Sequence, residues 1–195
     1  MLGFYHNNLY ISYFFQNTMA EARGYSIWMM PSEQVYDELS GLIMKLSGEY
    51  GTPKFEPHVT LLRGIESLEE DVSHRTSELA KLIKPFKIEL EGLDQFDDPF
   101  RCLFIKAKET PELTDANLKA RNVFSGGMGA IYMPHLSLIY GNLSKDMKET
   151  IILNLKKEKE GKEPAYGFDV DKLYLFSTQG GPDKWYKSGE FPLTG

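Results

Sequence analysis

Apolar and polar positions along this chain follow two rhythms. A period near 3.6 marks an amphipathic helix, and a period of two marks a half-buried strand. The run GYSIWMMP (24–31) is apolar and aromatic and is closed by Pro31, which predicts a buried strand. Ser32 then stands as an N-cap, and Val35, Leu39, Leu42, Ile43 and Leu46 recur on one helical face until Gly51 and Pro53 stop the helix. PHVTLLRGI (57–65) reads as a second strand. Residues 67–85 read as a helix, with Ser67 and Glu70 in capping-box spacing and Pro85 beyond its end. FKIELEGLDQF (86–96) alternates as a half-buried strand, Asp97-Asp98-Pro99 turns the chain, and RCLFIKAKE (101–109) returns as its hairpin partner.

The order then recurs more loosely. Residues 110–124 predict a helix, 125–132 a flexible connector, 134–141 a strand, and 144–161 a helix capped by Ser144, with lysines crowding its last turn. Residues 166–179 and 185–193 read as strands separated by GGPDK. No linker is long enough to separate independent domains. The order predicts an α+β chain of two similar lobes facing each other.

Composition narrows the functional classes. The chain has 195 residues, 42% of them hydrophobic, with 12 Phe, 11 Tyr and 2 Trp, enough for one real core. Its net charge is −6, whereas a duplex or polyphosphate binder carries a basic face. A small phosphorylated ligand needs only a few local donors and stays open. The single cysteine, Cys102, forbids an intrachain disulfide and fits a reducing compartment, which makes the cytoplasm the expected location. Residues 1–18 hold no charged side chain and six aromatics, yet no apolar run approaches the roughly 20 residues of a membrane helix. Met19 opens an ordinary-looking start, so the first 18 residues are expected to be dispensable and poorly packed, and a single domain to span 19–195.

The candidate chemistry lies in a repeat. FEPHVTLL begins at Phe55 and YMPHLSLI at Tyr132, and both read aromatic, any residue, Pro, His, apolar, hydroxyl, apolar, apolar. Residues i and i+2 of a strand share a face. His58 therefore lies beside Thr60, and His135 beside Ser137, while Val59, Leu61, Leu136 and Leu138 turn to the core. A lone His-x-hydroxyl strand is usually just a hydrogen-bonded histidine; two copies, each led by proline, are a different matter. Two imidazoles and two hydroxyls around one cleft suit hydrolysis of a cyclic phosphodiester. One histidine takes a proton from water, the other gives one to the leaving oxygen, and the hydroxyls hold the phosphate. Such a site needs neither metal nor cofactor.

With their flanks GYSIWMMP, EYGTPKFEPHVTLL, PHLSLIYG and WYKSGEFPL, the motifs resemble the 2H phosphoesterase superfamily, and within it the cyclic phosphodiesterase branch known from plants and yeast. The resemblance covers roughly residues 24–194. It implies a bilobal fold: two pseudo-symmetric lobes, each with an antiparallel sheet and flanking helices, around a central cleft. It implies opening of ADP-ribose 1″,2″-cyclic phosphate to the 1″-phosphate and of nucleoside 2′,3′-cyclic phosphates to 2′-phosphates. His58 and His135 would be the acid–base pair, and Thr60 and Ser137 would hold the phosphate. Tyr140, five residues after His135, would touch substrate. The same offset from His58 gives Arg63. Both offsets are odd, so each side chain reaches the cleft only if its strand ends, bends or bulges first.

Other candidates are two-sided. Arg63 is a phosphate contact or a solvated strand-end charge. Trp185 stacks on a base, lines the cleft rim or fills the core. His74 is expected on an exposed helix face, and His6 falls in the leader. Asp97-Asp98 reads as a turn rather than a metal site, and SGGMG (125–129) as a connector rather than a phosphate loop. The expected partner is a small cyclic phosphate, taken as substrate by a monomer, with no duplex nucleic acid and no membrane. Two competing readings remain: RNA end-processing within the same superfamily, and a nucleotide-binding module without turnover.

Overall fold

The computed structural model describes residues 24–124, 131–158, 161 and 165–195. The expected leader 1–18, His6 and positions 125–130 of the connector lie outside the described residues. Among the described residues there are eight strands and four α-helices; the four helices are those the sequence predicts, and the strands are one more than the seven predicted. The elements are β1 (Tyr25–Met29), α1 (Glu33–Tyr50), β2 (Val59–Ile65), α2 (Glu69–Ala80), β3 (Phe86–Asp94), β4 (Leu103–Ala107), α3 (Pro111–Val123), β5 (His135–Ile139), α4 (Lys145–Glu158), β6 (Ala165–Val170), β7 (Lys172–Ser177) and β8 (Tyr186–Pro192). Helix ends follow local chemistry. Gly51 closes α1 in the left-handed region at φ 65°, where a residue without Cβ is unstrained. Thr110 caps α3 by accepting from the Leu113 N–H. The expected capping box at Ser67 does not form, because the Ser67 hydroxyl donates to Asp71 at 2.7 Å and α2 starts only at Glu69.

All strands join one antiparallel sheet in the order β6-β3-β4-β5-β2-β1-β7-β8. The two lobes therefore share a sheet, and they meet where Val59 of β2 pairs with Leu136 of β5. About that pair the order is two-fold: β1 flanks β2 as β4 flanks β5. One element differs from its sequence pattern. Residues 166–179, read as one strand, divide at Asp171 into β6 and β7, six strand positions apart. In a flat sheet that separation is about 29 Å at ~4.8 Å per strand. One connecting residue spans only ~7 Å. The sheet must curl until its β6 edge approaches β7, which makes it a half-barrel.

The two faces of the sheet have different contents. One carries Ile27, Met29, Val59, Leu61, Leu136 and Leu138, which pack with Leu39 and Ile43 of α1, Leu79 of α2, Leu113 of α3 and Ile151 of α4 into a single core. On the other, Trp28 and Phe176 form a separate aromatic cluster with Met30, Tyr36, Tyr174 and Trp185. This second face lines the cleft.

Candidate active site

Each catalytic candidate is positioned by the same local device. A residue before proline is confined to extended backbone. Glu56 and Met133 occupy that place before Pro57 and Pro134, and each turns its carbonyl back onto the following histidine. The Glu56 oxygen lies 2.7 Å from His58 Nδ1, and the Met133 oxygen 2.8 Å from His135 Nδ1. A carbonyl can only accept, so each Nδ1 carries the proton. In the neutral ring Nε2 is then bare and available as an acceptor.

Register assembles the four motif side chains. Val59 and Leu136 pair across the centre of the sheet and point into the core. One residue either side, the same register sets His58 opposite Ser137 and Thr60 opposite His135, all on the cleft face. The four form a square with the imidazoles on one diagonal and the hydroxyls on the other. Directly opposed side chains start about 4.5–5.5 Å apart at Cβ, and same-strand neighbours about 6.5–7 Å apart.

The floor beneath each imidazole is aromatic and follows the same two-fold relation. Trp28 of β1, paired with Thr60, stacks face to face on His58 with centroids 3.6 Å apart and planes 5° apart. Phe104 of β4, paired with Ser137, lies 4.9 Å from the His135 ring at 59°. The Trp28 indole is held by its N–H, which donates to Ser26 Oγ at 2.8 Å. Neither aromatic was singled out from the sequence, although each falls in a predicted strand.

Burial makes the histidines unequal. His58 is only 5% exposed, and desolvation pushes its pKa down to about 3, helped by nearby His135 and opposed by the Glu56 carbonyl. The stacked indole works the other way. A ring face attracts a cation by about 0.5–2 kcal/mol, equivalent to roughly 0.4–1.5 pKa units. His135 is half-buried, and its pKa is also lowered, first by desolvation and then by the Arg101 and Arg63 charges, against the Met133 carbonyl and Asp98. At neutral pH the resting site holds two neutral imidazoles.

Tyr140 and Arg63 reach the cleft by different routes. β5 ends at Ile139, and Tyr140 turns in as the first residue beyond it. Its hydroxyl lies 3.5 Å from His58 Nε2, and its ring stacks on Phe55 at 3.8 Å. Burial pushes its phenol pKa up, so it stays a protonated donor. β2 bulges instead. Its register against β1 runs Trp28↔Thr60, Ile27↔Leu62, Tyr25↔Ile65, so Leu61 and Leu62 together oppose Ile27. Both leucines contact the core, the alternation is reset, and Arg63 returns to the cleft face.

The β3–β4 loop closes one end. Ser137 Oγ donates to the Phe100 carbonyl at 2.9 Å, and the Gly141 N–H donates to the Pro99 carbonyl at 2.8 Å. Asp98 accepts from the Phe100 N–H and from both Nε and an Nη of Arg101, so the acidic pair shapes a turn, as its sequence suggested. The Phe100 ring lies 5.5 Å from Tyr140 and 6.3 Å from Trp185. Trp185 also sits 5.8 Å from Trp28 and 5.9 Å from Tyr140, which places it at the cleft rather than in the main core. His74 is exposed on α2 and takes no part. Phe100 and Arg101 are the loop contributors that no sequence pattern marked. Among the described residues, no three or more His, Cys, Asp or Glu side chains group into a metal-holding cluster. None of the described helices is long and apolar enough to cross a membrane.

A curled α+β sheet with paired His-x-hydroxyl strands on its open face defines a class, the two-histidine phosphoesterases. The profile of the 2′-5′ RNA ligase superfamily matches residues 31–182. The chain is 27% identical over 145 residues to the cyclic phosphodiesterase of Arabidopsis thaliana, covering 74% of this chain and 75% of that protein. It is 30% identical over 155 residues to a putative phosphoesterase of Halalkalibacterium halodurans, covering 77% and 86% respectively. A crystal structure from Thermus thermophilus shares the fold, with a TM-score of 0.61 at 18% identity over 88% of this chain and 98% of that one. The chain belongs to the 2′-5′ RNA ligase superfamily, the 2H phosphoesterases, and is an enzyme of phosphodiester chemistry.

Proposed function

We propose that this enzyme hydrolyses small cyclic phosphodiesters by acid–base catalysis between His58 and His135, with no metal taking part. The observation that carries the reading is the square of two imidazoles, each with a bare Nε2, and two hydroxyls on one face. The cyclic phosphate lies between the histidines. One imidazole removes a proton from water as the water oxygen attacks phosphorus. The other, as imidazolium, gives its proton to the ribose oxygen as the P–O bond breaks. A monoester and a free hydroxyl result, and solvent exchange resets the two protons. The resting imidazoles are neutral, so the acid gains its proton when the phosphate anion arrives and favours the charged ring. Thr60 and Ser137 donate to the non-bridging oxygens, Ser137 by turning its hydroxyl from the Phe100 carbonyl. Tyr140 adds a donor beside His58.

Within that chemistry we assign ADP-ribose 1″,2″-cyclic phosphate and nucleoside 2′,3′-cyclic phosphates as substrates, the latter opened to 2′-phosphates. Similarity to a plant protein named cyclic phosphodiesterase supports this. A net charge of −6 argues against a groove that tracks an RNA strand. The enzyme is read as a cytoplasmic monomer. The test is a panel of cyclic mononucleotides, ADP-ribose cyclic phosphate and an oligonucleotide ending in a cyclic phosphate, with products read by phosphorus NMR in excess chelator. Turnover of the small substrates to single monoesters is expected. Turnover of the oligonucleotide alone would favour RNA end-processing, and tight binding without product would favour a binding module.

A further inference from the structure

Arg63 has no task in the reaction as drawn. The scissile phosphate already meets two imidazoles and two hydroxyls. Arg63 lies three residues beyond Thr60 along β2, up to ~10 Å from it at Cα, and the bulge at Leu61 and Leu62 turns it onto the cleft face. Two other arginines are held by carboxylates: Arg75 pairs with Asp71, and Arg101 pairs with Asp98 and covers the Phe96 ring. Among the described residues, none forms a hydrogen bond or ion pair with the Arg63 guanidinium. It is exposed, yet its charge is felt at His135, Tyr140 and Asp98. Among the described residues, Arg63 is thus a cation without an ion-pair partner in the cleft of an acidic protein, beyond the reacting atoms.

We infer that Arg63 is a second anion subsite, which reads a phosphate on the C5 oxygen of the same ribose that carries the cyclic phosphate. The inference rests on the hydrolase reading above and narrows it. A 5′-phosphorylated nucleoside 2′,3′-cyclic phosphate and ADP-ribose 1″,2″-cyclic phosphate share this chemistry, the first with a monophosphate and the second with a pyrophosphate. A bare nucleoside cyclic phosphate lacks it. Charge-assisted hydrogen bonds to a guanidinium fork correspond to roughly tenfold to a hundredfold in affinity.

The experiment compares kcat/KM for a nucleoside 2′,3′-cyclic phosphate, its 5′-phosphorylated form and ADP-ribose cyclic phosphate, using the full chain and R63Q. The full chain should prefer both C5-phosphorylated substrates by roughly tenfold or more, mainly through KM. In R63Q that preference should collapse toward one. Preference for only one of the two would identify a monophosphate or pyrophosphate reader. An R63Q loss that is equal on all three substrates, or absent, overturns the inference. Calorimetry with a nucleoside 2′-phosphate and the matching 2′,5′-bisphosphate separates the two readings. If the chain hydrolyses nothing but binds the bisphosphate more tightly in an Arg63-dependent way, hydrolysis fails and the subsite stands.

Discussion

The two histidines share a backbone device but differ in environment, and the difference is measurable. His58 lies under an indole and its pKa falls to about 3, while His135 is half-buried and also lowered. The proposed acid–base mechanism requires one neutral and one protonated ring, and kcat/KM reports the free enzyme. The pH profile should therefore be a bell centred below pH 6.5, the ordinary histidine value. A bell centred above pH 7 would contradict the environments described for the two rings. Both histidines and both hydroxyl partners were legible in the sequence, because strand alternation alone puts positions i and i+2 on one face. Trp28 and Phe104 were not. Each sits in a strand neighbouring a motif, and pairing between strands is invisible to local periodicity.

At the scale of elements, the β3–β4 loop is the part of the site that sequence reasoning reduced to a turn. Its Phe100 carbonyl holds Ser137, and its Pro99 carbonyl holds Gly141 beside Tyr140. The loop is braced from α4. Lys148, 2% exposed, donates to the Phe96 carbonyl at 2.9 Å and to Asp97 at 2.8 Å. Lys148→Met removes the charge-assisted bonds while keeping the stem's bulk, and should cost about 1–3 kcal/mol in urea unfolding. It should also lower kcat/KM several-fold on the same substrate, since loosening the loop frees the Phe100 carbonyl. Unchanged stability and activity would remove the loop from the account. The bulge at Leu61 and Leu62 was equally hidden. Both leucines suit a strand, and only pairing with Ile27 shows that they share one place. The division of 166–179 at Asp171 escaped for a related reason, since the run stays strand-like while its two halves join distant neighbours.

For the whole molecule, the shared sheet couples the site to stability. His58 is neutral when folded down to about pH 3, but takes a proton near pH 6.5 once unfolded. Between those values the unfolded state binds more protons, so stability is present above pH 6.5 and lost as pH falls. The slope approaches 1.4 kcal/mol per pH unit for one fully shifted group, and His135 acts in the same direction. Urea midpoints should drop steadily from pH 7 to pH 5, a range above most carboxylate titrations, and a flat profile would mean that the His58 ring is not desolvated. The α+β order of elements was readable along the chain, and the curl was not, because it follows from a strand order set by contacts between distant residues. The central claim, that the paired imidazoles perform phosphodiester hydrolysis, is tested most directly by kcat/KM on a nucleoside 2′,3′-cyclic phosphate for His58→Ala and His135→Ala, with folding checked by circular dichroism. Each folded variant should lose roughly 10²–10⁴-fold, with the double variant losing far less than the product of the two; near-normal turnover by either single variant would contradict the account.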